Sequence, residues 1–244
     1  MGPQATRRVA NVFPPGRRPS LAPDCVIFLA GGALVAGAAR IGVPALTSAG
    51  VDPLAAWMLL ALLVVFAPIV AGGWLLVRSE ERGQSWTERL RLQRPSAADW
   101  RWGTMGLIGI GVGSAAMFRL CLALGLDPSP PFARGLAPLL GPRLWMLGLW
   151  VVYWPVNILG EEFVWRGVSL PRMQARLGAR AWLLNAALWG AVHIGFGAGN
   201  LLMLLPTLLL VPFVAQQRRN TWLAVLMHAG LSGPGFVALA LGLT

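Results

Sequence analysis

The sequence predicts an all-α fold: a polytopic transmembrane helical bundle of about seven spans, with its N-terminus in the cytoplasm. Three observations carry this. Hydrophobic residues make up 56% of the chain and charged residues only 12%, against about 25% charged in a soluble domain. Apolar runs near the bilayer-crossing length of about 20 residues recur from Cys25 onward. The basic residues, all arginine, fall mostly in the short segments between those runs. A net charge of +11 raises nucleic-acid binding, but arginines confined to short inter-span loops follow the positive-inside rule. Membrane lipids, and no nucleic acid, are therefore the expected partners.

Residues 1–24 are rich in Arg and Pro and have no cleavage-type small-residue site after the first apolar run. They read as a cytoplasmic tail rather than a signal peptide, and residues 25–244 as one transmembrane helical domain. The candidate spans are Cys25–Leu46, Leu54–Val77, Trp102–Leu126, Leu144–Leu170, Ala181–Phe196, Leu201–Ala215 and Thr221–Leu243. The fifth and sixth are short, and their shared turn, Gly195–Asn200, is placed below the membrane surface. With the N-terminus inside, the inner segments hold Arg7, Arg8, Arg17, Arg18, Arg78, Arg82, Arg89, Arg91, Arg94, Arg101, Arg172, Arg176, Arg180, Arg218 and Arg219, and the outer ones only Arg134 and Arg143. Dropping a span would scramble that asymmetry. The result is a multi-pass protein of the cell membrane.

Within the loop Arg78–Arg101, Trp86, Leu90 and Leu92 among charged residues predict a short amphipathic helix on the cytoplasmic surface. The segment Asp127–Pro142 is Pro-rich and is expected to be irregular. Cys25 and Cys121 form no CxxC and no disulfide framework; both read as small apolar residues.

The chemistry concentrates in Gly160-Glu161-Glu162-Phe163-Val164-Trp165-Arg166-Gly167, which follows an apolar run without a polar linker. Charge at such depth costs roughly 2.5–3.5 kcal/mol per group even on lenient scales and marks a functional site by default. Residues four apart share a helix face, so Glu162 and Arg166 form an ion pair. Glu161 points about 100° away and is left for chemistry. Asn157, one turn earlier, is placed to hydrogen-bond Glu161. The chain's only histidines, His193 and His228, also lie in apolar runs. At 1.5 Å per residue, Glu161, His193 and His228 sit roughly 15, 20 and 12 Å from the inner ends of their spans. Three helices thus carry rare polar residues to similar depth.

A carboxylate and an imidazole can share a water and remove its proton, while a second histidine with a hydroxyl can polarise a carbonyl. Two histidines and a glutamate are also a catalytic zinc set, so Glu161, His193 and His228 are the ligands if zinc is the cofactor, although no HExxH spacing is present. Ser232 follows His228 by one turn, but no Gly-x-Ser-x-Gly elbow accompanies it.

These residues resemble a known pattern. Glu161-Glu162-x-x-x-Arg166-Gly167 is similar to the EExxxR motif of the CPBP family, the CAAX prenyl endopeptidase type II and bacteriocin-processing proteins, also called the abortive-infection family. Trp189-x-x-x-His193 is similar to its FxxxH motif, and His228-x-x-x-Ser232 to its HxxxN motif, with Trp in place of Phe and Ser in place of Asn. The resemblance covers Glu161–Ser232 and places a catalytic region at 144–243. It implies an α-helical intramembrane endopeptidase, in which Glu161 and His193 activate water, Glu162 and Arg166 order the site, and His228 and Ser232 hold the scissile carbonyl. The conservative Trp189 provides an aromatic wall; Ser232 offers a shorter donor than an amide. The metal question stays open under the resemblance. The expected substrate is a peptide or membrane-protein segment, lipidated or not, cut near the cytoplasmic face. Two other readings stand beside it: a non-catalytic immunity or scaffold protein of the same fold, and a small transporter, against which the absence of repeated halves argues.

Overall fold

The structure, a computed structural model, describes Phe13 and residues 18–80, 85–134 and 138–242. Among them there is no strand. Eight helices follow in order: α1 Ala22–Ser48, α2 Pro53–Arg78, α3 Trp86–Arg89, α4 Ala97–Ala123, α5 at 145–177, α6 Ala181–His193, α7 Ala198–Arg218 and α8 Thr221–Ala240. Four of these, α1, α2, α4 and α7, are long and apolar enough to cross a membrane. The helices that carry the charged and histidine residues fall outside that set: α5 contains Glu161, Glu162 and Arg166, and α6 has only 13 residues.

Local chemistry sets the helix starts. Asp52 accepts from the Leu54 N–H at 2.9 Å and is followed by Pro53, so α2 begins there. Ser85 with Glu88, and Ser96 with Asp99, close capping boxes on α3 and α4, each satisfying two amide groups that a helix start leaves open. Asn220 accepts from Trp222 N–H at 3.0 Å and starts α8. The first helix begins at Ala22, with Pro23 and Asp24 in its first turn. This moves Ala22–Asp24 out of the expected tail, most of which lies outside the described residues. Proline is tolerated there because the first helical N–H groups have no partner to lose. The expected surface helix is a single turn, Trp86–Arg89, with Trp86 stacked on Trp74 at 4.7 Å. The 127–142 segment carries two short 3-10 turns, Pro131–Ala133 and Gly141–Arg143; residues 135–137 lie outside the described set. Helix α7 runs to 21 residues and is not short, because it begins at Ala198, inside the turn expected at Gly195–Asn200.

Packing brings α6 against both α1 and α7, and α8 against α4, α5 and α7. Close approach depends on small residues. A side chain at Gly195 would stand 2.7 Å from the Ala36 backbone, so the end of α6 is pressed directly onto α1. Phe28 of α1 stacks on Trp165 of α5 at 4.0 Å. At the end of the bundle where α1 starts, Arg172 of α5 is buried and donates to Asp24 of α1 at 2.9 and 3.1 Å, to the Ser20 carbonyl at 2.6 Å and to Glu80; Glu80 also pairs with Arg89 at 2.8 Å. The residues after α3 dock on the α7–α8 turn: Thr221 donates to the carbonyls of Arg91 and Leu90, and Asn220 to that of Gln93. Arg91 itself is buried in a left-handed conformation (φ 56°), and its Nε and Nη1 have no hydrogen-bond partner among the described residues.

Candidate functional site

Three stretches of π-helix interrupt the bundle, at Ala38–Gly42, Ala61–Phe66 and Phe163–Ser169. The π turn is an uncommon local geometry that recurs at functional sites. The third begins immediately after Glu161 and Glu162, and the second contributes Val65 and Phe66 to the wall of an internal cavity of about 100 Å³. Glu161, His193 and His228 all line that cavity, together with Tyr153, Asn157 and aromatic residues including Trp57, Phe132 and Phe196. The three polar residues read independently from three helices therefore share one chamber.

The two carboxylates have different surroundings. Glu162 is fully buried (0%). Its Oε1 accepts from Arg166 Nη1 at 3.0 Å and faces His228 Nδ1 at 2.9 Å. The Arg166 guanidinium lies over the Trp189 ring, 3.7 Å from its centroid, which supplies part of the contact that water would otherwise give a buried cation. Glu161 is 7% exposed. Its Oε2 accepts from Trp189 Nε1 at 2.8 Å and from Trp165 Nε1 at 3.3 Å. Its Oε1 has no hydrogen bond among the described residues.

Partner chemistry fixes the histidine tautomers. His193 Nδ1 lies 2.8 Å from the Trp189 carbonyl. A carbonyl only accepts, so Nδ1 carries hydrogen and Nε2 is left as the basic nitrogen. His228 Nδ1 likewise donates to the Glu162 carboxylate, and its Nε2 remains for another group. Both rings stand edge-on to Trp189, at 5.7 and 5.4 Å.

Two expectations change. Asn157 does not bond Glu161; its Nδ2 donates to the Tyr153 hydroxyl at 3.2 Å, one turn in the opposite direction. Helical side chains lean toward the N-terminus, which favours that partner. Ser232 is occupied: its hydroxyl donates to the His228 carbonyl at 2.9 Å and accepts from Trp154 Nε1 at 3.2 Å, and it is not part of the cavity wall.

Trp189 also does more than wall the site. An indole N–H inside an apolar bundle needs an acceptor, and that need was the signal for its bond to Glu161. Tyr153, the chain's single tyrosine, had no comparable signal: its hydroxyl accepts from Trp57 Nε1 at 3.1 Å, across 96 residues.

Zinc fits poorly. Among the described residues no group of three His, Cys, Asp or Glu side chains is close enough to hold a metal ion, and Glu161 Oε2 is taken by two indoles.

An all-helical membrane bundle with a buried glutamate–histidine chamber is the class that fold and site define. Residues 143–233 match the family model of the type II CAAX prenyl endopeptidases, Rce1-like. The match covers α5 to α7 and the first part of α8, which together carry every candidate site residue, and supports a CAAX-type intramembrane endopeptidase in general. Comparison with curated proteins and with solved structures finds no match.

Proposed function

We propose that the chain is an intramembrane endopeptidase that hydrolyses a peptide bond near the cytoplasmic side, with Glu161 as general base. One observation carries this reading: Glu162 is held by Arg166 and His228, whereas Glu161 keeps Oε1 uncommitted in a cavity shared with both histidines. In this scheme water sits between Glu161 and His193 Nε2. Glu161 takes a proton, and the water oxygen attacks the carbonyl carbon of the substrate. His228, fixed through Nδ1 by Glu162, stands on the carbonyl-oxygen side and steadies the negative charge that develops there. The proton then passes to the departing amide nitrogen, the C–N bond breaks, and a carboxylate and an amine leave. Aromatic walls and burial keep bulk water out, which strengthens each of these electrostatic contacts. No metal takes part in the scheme.

The arginine distribution supports a cell-membrane bundle of seven spans with a cytoplasmic N-terminus. Substrates of fitting chemistry are a small peptide, a bacteriocin precursor, a membrane-protein segment or the tail of a lipidated protein. The occupied hydroxyl of Ser232 favours a second reading, a non-catalytic protein of the same fold acting as an immunity factor or scaffold. A quenched-fluorescent peptide library, incubated with purified protein in detergent, tests both. Cleavage by wild type that is lost in Glu161→Ala and His193→Ala supports the peptidase. Folded wild type that cleaves nothing, in micelles or in liposomes carrying lipidated peptides, favours the second.

A further inference from the structure

The occupied state of Ser232 leaves a carbonyl-polarising role open on the substrate side of the cavity, and Asn157 is the polar residue there with an unmet bond. Its Nδ2 contacts Tyr153, while its Oδ1 is buried with no hydrogen-bond partner among the described residues. An orphaned buried amide oxygen costs about 1–3 kcal/mol. Asn157 lies one turn before Glu161, on the helix that carries the base, and both line the same chamber as His193 and His228.

The amide has two orientations that keep the Tyr153 contact. In one, Nδ2 donates to the hydroxyl and Oδ1 is stranded. In the other, the tyrosine hydroxyl donates to Oδ1 and the NH₂ takes the stranded position, a donor waiting for an acceptor. Tyr153 can make that donation because its oxygen is already held by Trp57 Nε1 at 3.1 Å, which fixes the phenol and leaves its hydrogen free to turn. A substrate carbonyl oxygen entering the chamber would give the NH₂ its missing partner.

We infer that Asn157, oriented by Tyr153, is the amide that donates to the substrate carbonyl oxygen, the part that the resemblance assigned to residue 232. This rests on the peptidase reading. Asn157 is then a catalytic residue and Tyr153 a positioning residue.

The test is steady-state cleavage of a peptide by full-length wild type, Asn157→Leu, Tyr153→Phe, Ser232→Ala and Glu161→Gln in detergent, with thermal unfolding of each. Loss of one such donor is expected to lower kcat of Asn157→Leu by about 10²–10³, with KM near the wild-type value, since a bond made chiefly in the transition state acts on kcat. Tyr153→Phe loses less, and its deficit disappears in the Asn157→Leu background, where there is no amide to orient. Ser232→Ala loses less than Asn157→Leu. Asn157→Leu unfolds at or above the wild-type temperature, because the buried amide group that lacks a partner is gone; a packing role would lower it. Equal turnover in Asn157→Leu and wild type overturns the assignment, as does a loss in Asn157→Leu accompanied by a lower unfolding temperature, or a larger loss in Ser232→Ala. Wild type no faster than Glu161→Gln overturns the peptidase reading itself, and this assignment falls with it.

Discussion

His228 Nδ1 lies 2.9 Å from Glu162 Oε1, the same oxygen that accepts from Arg166 at 3.0 Å. One carboxylate oxygen thus fixes both a cation on its own helix and an imidazole from α8, 66 residues further along the chain. Adjacent glutamates divide the labour: Glu162 builds the chamber, and Glu161 faces into it.

Arg166→Ala removes one partner of a fully buried pair and leaves Glu162 without its cation. Breaking such a pair costs about 3–5 kcal/mol. Thermal unfolding in detergent is expected to place Arg166→Ala well below Glu161→Ala, whose lost contacts are two indole donors. Equal unfolding temperatures would refute this.

Trp189→Phe restores the residue type that the resembled motif carries, yet it deletes the 2.8 Å bond to Glu161. A hydrogen bond to a charged group contributes about 1.5–3 kcal/mol, so turnover is expected to fall about tenfold or more. The phenyl ring keeps the aromatic face under Arg166, so the unfolding temperature should fall by no more than the loss of that one bond accounts for. Comparing kcat with unfolding for this variant separates the two roles of the indole.

Chelation is expected to leave peptide cleavage unchanged, and added zinc to give no stimulation. The reason is geometric: no three ligating side chains converge among the described residues. Activity abolished by a chelator and recovered with a divalent cation would require the chamber to rearrange.

Arg91 is a cation whose burial works against the fold. Burial, then Arg219 and Arg89, bring its guanidinium down to about 9. A base whose folded pKa lies below its unfolded value destabilises the fold fully below the folded pKa, and the penalty fades as pH rises from there toward the unfolded value. Arg91→Met keeps most of the volume and removes the charge. It should therefore raise stability by about 1–3 kcal/mol at pH 7, with a smaller gain at pH 10. Unfolding at both pH values checks the sign.

The helical segments were legible because long apolar runs are a strong local signal, and each expected run coincides with a helix. The Glu162–Arg166 pair was legible for the same reason: it is a four-residue relationship. Partners distant in sequence were not. Nothing local says that Asp24 meets Arg172, that Trp57 meets Tyr153, or that Ser232 turns toward Trp154. Asn157 shows the limit even at short range, since Tyr153 and Glu161 both lie four residues away and periodicity cannot choose between them. Helix ends also escaped, because Pro23 at a helix start reads as easily as tail.

The Arg172–Asp24 contact spans 148 residues, and it has a consequence for the order of assembly. Synthesis proceeds from the N-terminus at about 5–20 residues per second, so the carboxylate of α1 is made roughly ten seconds or more before its cation exists. During that interval the carboxylate of α1 lacks the guanidinium it later meets. Ser20, 152 residues from Arg172, waits as long, and Glu80, 92 residues away, waits for a shorter time. A nascent chain arrested before residue 172 would therefore have its first two helices packed on each other but without this tie, and release of the arrest would let one late arginine join Asp24, Ser20 and Glu80.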